Sequence, residues 1–220
     1  MQLRVPDHLR YCQAQGGLMF LDIRRDRYFA LPPTLEAAFL DLAQAGFRVP
    51  AEPQDAVDQL RRMGLVEMGA PPAASTRVAK RANASWTDTP PIVGHGSLVA
   101  GLGALQAVVA MRRRLGRQRL ELILNAFADL RGDRPNATLG ALAEPVVTFA
   151  RARQWAPIRP VCLLDALALL AFLQRRGLHA DLVFGVIRQP FAAHCWVEAH
   201  GVVLNDRLDR VNEFTPILVI

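Results

Sequence analysis

The chain has few of the features that mark secreted or disulfide-bonded proteins. Its 220 residues include only three cysteines, which cannot form a closed disulfide framework. The first residues, MQLRVPDHLRYC, carry early charges and have no apolar signal-peptide core. Free thiols without a signal peptide indicate a reducing compartment, so we expect a cytoplasmic protein. A hydrophobic content of 51% with 21% charged residues indicates a globular chain with a sizeable core.

Lysine is almost missing, and its absence affects how the charge is interpreted. Lys80 is the only lysine, so nearly all the positive charge behind the net +6 is arginine, a bias typical of a GC-rich bacterial genome. The arginines are dispersed, apart from one run in MRRRLGRQR (111–119), and few aromatic residues lie between them. A basic face of this kind is usually only solvated. We therefore do not expect nucleic-acid binding.

Long uncharged segments are also rare. The segment 92–111 has no formal charge over roughly the length of a membrane span. It contains His95, Ser97, Gln106 and four glycines, which make its mean hydropathy modest for a span. We expect a buried helix there, and no stable membrane insertion.

The sequence predicts two domains joined by a linker, with an α+β order of elements. Residues 1–68 begin with three short strands within 9–31, and helices follow over 35–46, capped by Thr34, and 53–64. Residues 69–91 are rich in proline, alanine, serine and threonine and lose apolar periodicity, which indicates a linker. The second domain, 92–220, has helices first and antiparallel strands last. Its helices are expected at about 96–115, 118–131, 138–152 and from Cys162.

Cys162 is the first residue of chemical interest. The run RPVCLLDALALLAFLQRRG places it in the first turn of an apolar helix that Gly177 ends. A helix N-terminus lowers the pKa of a thiol, and its N–H groups can stabilise an oxyanion. Taken alone, a cysteine in this position is more often an inert core residue.

The stretch FAAHCWVEAHGVVLND (191–206) holds the other polar candidates. Strand alternation puts His194, Trp196 and Glu198 on one face and Cys195 on the other. Cys195 is therefore expected in the core, and no ligand pair has zinc-site spacing, so we expect no metal.

A three-residue loop in this hairpin predicts that an acid meets His194. If the loop is Ala199 to Gly201, Glu198 pairs with Val202 and His194 lies opposite Asp206. A two-residue turn would put the two side chains on opposite faces. An imidazole oriented by a carboxylate, together with a helix-terminal thiol, is the arrangement of cysteine-nucleophile catalysis.

The order of these motifs resembles a known family. PVCLLDALAL followed by HCWVE and GVVLND is similar to the transglutaminase-like, papain-like α+β cysteine protease fold. More narrowly it resembles the lasso-peptide maturation B proteins, which remove the leader from a ribosomally made precursor. The resemblance covers about residues 140–220. It implies a Cys162, His194 and Asp206 triad that acts through a thioester acyl-enzyme without a cofactor. Any ATP requirement would belong to a partner, an asparagine-synthetase-like cyclase.

The N-terminal domain carries a second resemblance. GGLMFLDIRRDRYFALPPTLEAAFLDL (16–42) is similar to the PqqD-like leader-recognition domain, a small winged-helix fold. In that family the leader adds as a strand to the third strand and packs against the last helix. The resemblance implies that the leader binds to two surfaces here, with Tyr28 or Phe29 as an apolar anchor. These are Arg27, Tyr28, Phe29, Ala30 and Leu31, and Asp55, Gln59 and Arg62.

Three functions therefore stay open at this point. The first is a leader peptidase in which the linker keeps a docked leader at high effective concentration near the thiol. The second is a non-catalytic adaptor that binds the leader for other enzymes. The third is an amide-transferring, transglutaminase-like enzyme.

Overall fold

A computed structural model describes residues 2–50, 55–70, 81–94 and 97–220. The elements of residues 2–70 are β1 (Leu3–Arg4), β2 (Leu9–Ala14), β3 (Gly17–Asp22), β4 (Arg27–Phe29), α1 (Pro33–Gln44), α2 (Asp55–Arg62) and β5 (Glu67–Met68). Those of residues 81–220 are β6 (Ala84–Ser85), α3 (Leu98–Leu115), α4 (Leu120–Arg131), α5 (Leu139–Arg153), α6 (Cys162–Gln174), β7 (Asp181–Ile187), β8 (Ala192–Ala199), β9 (Val202–Val203), α7 (Leu208–Val211) and β10 (Thr215–Val219).

The N-terminal part, which we call the small module (residues 2–70), contains the three strands expected from its sequence. They form an antiparallel sheet in the order β2-β3-β4, and β1 pairs with β5. The first helix begins two residues earlier than expected, because Pro32 occupies the cap position and Pro33 opens α1. Proline suits the first helical position, so Thr34 lies inside the helix and does not cap it. The start of the second helix was expected at residue 53, which lies outside the described residues.

The two faces of the small sheet pack against different cores. Phe20 lies in the module's own core with Phe39, and Phe29 stacks on Phe20 with ring centroids 5.2 Å apart. The opposite face carries Met19 and Leu21, which belong to the core of the C-terminal part. Because alternate residues of a strand point to opposite faces, the small module is docked directly on the larger part through this second face.

A polar contact strengthens this docking at the turn between β7 and β8. The side-chain oxygen of Gln15 accepts the backbone N–H groups of Arg188 and Gln189, at 3.0 and 2.8 Å. The Arg188 guanidinium lies 3.4 Å from a carboxylate oxygen of Glu36 on α1. The small module therefore holds the loop that leads into β8.

The C-terminal part combines a helical layer with a five-stranded sheet. The strand order is β10-β7-β8-β9-β6, and α6 packs against α3, α5 and β8. Most of the side chains of α6 are buried, as the continuous apolar run predicts. The helix ends at Gln174, and Gly177 terminates it as expected: this glycine has φ +69°, and the N–H of Leu178 donates to the carbonyl of Leu173.

The segment expected to be a linker, 69–91, is partly built into this sheet. Residues 71–80 lie outside the described residues, but Ala84 and Ser85 form β6, which pairs in parallel with β9. Small residues at a sheet edge give no periodicity signal, which is why composition alone indicated a linker. None of the helices in the described ranges is long and apolar enough to cross a bilayer.

Candidate active site

The thiol of Cys162 lies at the N-terminus of α6. Val161 precedes the helix in an extended conformation, and no side chain caps this end. An ion pair stabilises the first turn of the helix: Nε of Arg153 lies 2.6 Å from a carboxylate oxygen of Asp165. Cys162 is half-buried, so the thiol sits at the edge of the core where a substrate could reach it.

His194 and Asp206 meet across the hairpin. His194 is buried on β8, and its Nε2 lies 2.5 Å from Oδ2 of Asp206. The imidazole packs near Phe214, with ring centroids 5.2 Å apart. Burial opposes ionisation of Asp206, but hydrogen bonds from His194 and from the Arg207 N–H outweigh it and lower the pKa of Asp206. The contact leaves Nδ1 of His194 as the ring nitrogen that can face a thiol.

The loop behind this contact differs from the prediction. Ala199 pairs with Val202, so the turn has two residues, His200 and Gly201, both with positive φ. Such a turn matches the twist of a hairpin, and the His200 ring contacts the carbonyl oxygen of Ala137 at 3.1 Å. The three-residue loop was therefore wrong. His200 has φ +51°, a left-handed conformation that is uncommon for residues other than glycine.

His194 nevertheless reaches Asp206, because the chain leaves the strand ladder after Val203. The N–H of Leu204 still donates to the carbonyl of Val197. The N–H of Val197, however, donates to the side-chain oxygen of Asn205 at 2.7 Å. Residues 204–206 bend at this point, and the bend brings Asp206 to the His194 face.

The thiol and the imidazole form an ion pair. Hydrogen bonds with Cys195 and His194 outweigh partial burial and lower the pKa of Cys162 to about 4. Burial alone would lower the pKa of His194, but hydrogen bonds with Asp206 and Cys162 raise it to about 9. Near neutral pH the pair is therefore thiolate and imidazolium, the reactive form of a catalytic cysteine.

Cys195 belongs to this site, which sequence reasoning missed. It is buried in the core as expected, but its side chain and its backbone N–H lie near enough to Cys162 to lower the pKa of that thiol. The thiolate of Cys162 and burial together raise the pKa of Cys195 well above its ordinary value. The strand pattern contained a signal for this contact. The backbone N–H groups of Cys195 and Val197 point to the same edge of β8, and the pairing of β9 with this edge ends at Val203. The edge beside Cys195 is therefore open to Cys162.

We expect the Cys195 side chain to lower the pKa of Cys162. Cys195→Ala removes an S–H donor from the Cys162 thiolate, so the pKa of Cys162 should rise by about one unit, a tenfold change in its ionisation. The pH dependence of Cys162 alkylation by iodoacetamide measures this shift. Cys195→Ser keeps a hydroxyl donor and serves as the matched control. Identical acid limbs for the alanine variant and the wild type would show that Cys195 contributes only packing.

The residues proposed by resemblance to bind a leader lie on two surfaces of the small module. Arg27 and Ala30 are exposed on or beside β4, whereas Leu31 is buried. The three remaining residues are exposed on α2: Asp55, Gln59 and Arg62. In the described part of the sheet β4 pairs only with β3, so its outer edge has no strand beside it.

The two aromatic candidates on β4 both point inward. Phe29 faces the module's own core, as described above. Tyr28 pairs with Leu21, packs against the core that contains α6, and its ring lies 5.8 Å from that of Phe191. Burial raises the pKa of Tyr28, and the charges of Cys195, Asp26 and Cys162 add to this effect. Neither ring is a free anchor, and Tyr28 belongs to the surroundings of the thiol.

Within residues 2–50, 55–70, 81–94 and 97–220, no three histidine, cysteine or acidic side chains are grouped so as to hold a metal ion.

Comparison with known proteins assigns the chain to a family. A stretch of 45 residues is 49% identical to the microcin J25-processing protein McjB of Escherichia coli, and it covers 20% of this chain and 22% of that protein. The chain thus matches less than a quarter of the length of this relative. No solved structure matches. A family model described as the transglutaminase-like superfamily matches residues 105–219, more than half of the chain, and includes the segments that carry Cys162, His194 and Asp206. The chain belongs to the transglutaminase-like superfamily.

Proposed function

We propose that the protein is a leader peptidase of lasso-peptide biosynthesis, a cysteine peptidase that uses Cys162, His194 and Asp206. The observation that carries this proposal is the three-residue arrangement itself. A thiol at a helix N-terminus lies near a buried imidazole that lowers its pKa, and this imidazole in turn lies 2.5 Å from a carboxylate. The match to a protein named for processing a microcin supports a role in peptide maturation.

The reaction follows from the charges of the pair. The Cys162 thiolate attacks the carbonyl carbon of the scissile amide, and N–H groups at the start of α6 stabilise the oxyanion. The imidazolium of His194 gives its proton to the leaving amine, which departs as the N-terminus of the core peptide. The thioester that remains on Cys162 holds the leader. His194, now neutral, takes a proton from water as it attacks the thioester, and Asp206 keeps the imidazole oriented. These steps consume only water and need no cofactor.

The small module would present the leader to this thiol. We propose that the leader adds as a strand to the open edge of β4, from Arg27 to Leu31, and contacts Asp55, Gln59 and Arg62 on α2. Main-chain hydrogen bonds supply the affinity in this mode, and the exposed Arg27 and Ala30 supply side-chain contacts. One face of this sheet packs on the core that contains α6. A leader docked on the edge of β4 is therefore held close to the thiol by the packing of the small module on the C-terminal part, as well as by the chain that connects the two.

The test is cleavage of a precursor peptide. The full chain is incubated with a synthetic precursor, chosen from a short open reading frame beside its gene, and the products are followed by intact mass spectrometry. We expect free leader and free core peptide without ATP, because ATP would be consumed only by a partner cyclase of the asparagine-synthetase type. Binding of the precursor without cleavage would indicate an adaptor. A product joined to an added amine would indicate amide transfer.

A further inference from the structure

We propose that Asn205 and Ser85 are positioning residues that hold Asp206 against His194, so that the segment 81–88 is part of the catalytic scaffold. This inference rests on the proposed function, since it concerns the same three-residue arrangement. The pairing register of the β8–β9 hairpin predicts that Asp206 and His194 lie on opposite faces of the sheet, whereas the two side chains are in contact.

The register by itself would separate the acid from the base. Because Ala199 pairs with Val202 and Glu198 with Val203, a ladder continued regularly would put Asp206 opposite Cys195. Paired residues share a face of the sheet, so the carboxylate would point to the Cys195 face. His194 lies on the other face. A local departure from the ladder is therefore required between Val203 and Asp206.

Asn205 supplies that departure. In a regular ladder the N–H of Val197 would donate to the carbonyl of Leu204. It donates instead to the Asn205 side chain at 2.7 Å, while the N–H of Leu204 keeps its bond to Val197. The amide oxygen thus replaces one backbone acceptor and frees the following backbone to turn, as in a β-bulge. Val197 is fully buried, so its N–H would be left unsatisfied if the side chain were removed.

Ser85 holds the turned backbone from the other side. Its hydroxyl donates to the carbonyl of Asp206 at 2.5 Å and accepts the N–H of Thr87 at 3.0 Å. Ser85 is buried, with 4% of its surface exposed, and it is placed there by the parallel pairing of β6 with β9. The Asp88 carboxylate adds a second contact two residues after Asp206, where it accepts the N–H of Leu208 at 2.8 Å.

These contacts fix which oxygen of Asp206 faces the base. Oδ1 accepts the N–H of Arg207 at 2.8 Å, and Oδ2 lies against Nε2 of His194. Asn205 and Ser85 hold the backbone from which this carboxylate projects, and the Arg210 guanidinium lies 4.0 Å from Oδ2. The function of the carboxylate in the proposed mechanism is to hold the tautomer and direction of the imidazole, so Asn205 and Ser85 act on catalysis through Asp206.

The experiment compares four variants of the full chain: Asn205→Ala, Asn205→Asp, Ser85→Ala and Ser97→Ala. Asn205→Ala and Ser85→Ala each remove one of the side chains proposed to position Asp206. Asn205→Asp keeps an acceptor oxygen for Val197 and should behave as a rescue. Ser97→Ala removes a comparable hydroxyl, one that caps α3 by accepting the N–H of Ala100, and is the matched control. Thermal unfolding of each variant shows that it is folded.

Two readouts separate positioning from simple stability. The first is the pKa of His194, followed by NMR of its imidazole and assigned by the signal lost in His194→Gln. The second is cleavage of the precursor peptide. In Asn205→Ala and Ser85→Ala we expect the pKa of His194 to fall towards its ordinary value and kcat to fall by about tenfold or more, with KM little changed. Asn205→Asp and Ser97→Ala should show neither effect.

An unchanged His194 titration in folded Asn205→Ala would overturn the proposal. If that variant does not fold, Ser85→Ala decides alone, since it removes the donor to the Asp206 carbonyl and otherwise only an acceptor for the nearby N–H groups of Thr87 and Asp88. The titration also works in the absence of any peptide substrate. A shifted His194 pKa in a protein that cleaves no precursor would therefore support the positioning roles and contradict the peptidase function.

Discussion

Cys162→Ala is expected to abolish cleavage of the precursor, with a loss of at least about 10⁴-fold in kcat. The variant lacks the atom that forms the thioester, and neither remaining thiol can replace it. Burial raises the pKa of Cys12 in the small module to about 11. The pKa of Cys195 is also raised well above its ordinary value, and its side chain is buried. The measurement is the rate of leader release, followed by mass spectrometry under saturating peptide.

The control for this prediction is Cys12→Ala, which removes the half-buried thiol on β2 of the small module and should cleave at the wild-type rate. Iodoacetamide at about pH 6 provides a second check, because a thiol with a depressed pKa is alkylated there while ordinary thiols are not. We expect one modification in the wild type, at Cys162, and none in Cys162→Ala. Undiminished cleavage by Cys162→Ala would eliminate the peptidase mechanism.

The start of α6 could be predicted from the sequence because its signals are local. A long apolar run, a proline before it and Gly177 after it determine the helix, and they place Cys162 in its first turn. The strands that carry Tyr28 and His194 were predicted for the same reason, since alternation and turn residues mark them. Each of these signals lies within roughly 18 residues, the range over which periodicity can be read.

The hairpin loop could not be predicted, because a distant residue contributes to it. His200 occupies a left-handed conformation that its residue type rarely adopts, and its ring contacts the carbonyl of Ala137, which precedes α5. The compensating bend depends on Asn205 and on Ser85, a residue of the expected linker. Two errors thus cancelled: the loop was one residue shorter than predicted, and the ladder ended early. Asp206 meets His194 as expected, but by a different route.

The packing of the small module on the C-terminal part could not be predicted from the sequence either. Strand alternation shows that Tyr28 and Phe29 face opposite ways, but it does not show what lies beyond each face. The structure gives both faces a core, so the outer edge of β4 is the surface left for a peptide strand. Composition had suggested a tether between independent units. Instead, Met19 and Leu21 pack against the core of α6, so the small module is part of the same packed body as the C-terminal part.

Loss of His194 should convert Cys162 into a much less reactive thiol. In the wild type the pKa of Cys162 is about 4 and that of His194 about 9. As pH rises through the first value the thiolate forms, and as pH rises through the second the imidazolium loses its proton. The ion pair therefore dominates between these limits, and the alkylation rate should be nearly constant across the neutral range.

His194→Ala removes both the hydrogen bond and the positive charge that stabilise the thiolate, so the pKa of Cys162 must rise. A rise of about two units, from about 4 to roughly 6, lowers the thiolate fraction at about pH 5 by about tenfold. We expect iodoacetamide alkylation of this variant to slow accordingly at about pH 5 and to approach the wild-type rate in alkali. His8→Ala, on the small module, should keep the wild-type profile. Profiles that rise tenfold per pH unit through neutrality in both wild type and His194→Ala would mean that Cys162 is an ordinary thiol. The hydrogen-bonded pair would then lack the charge separation on which the proposed attack depends.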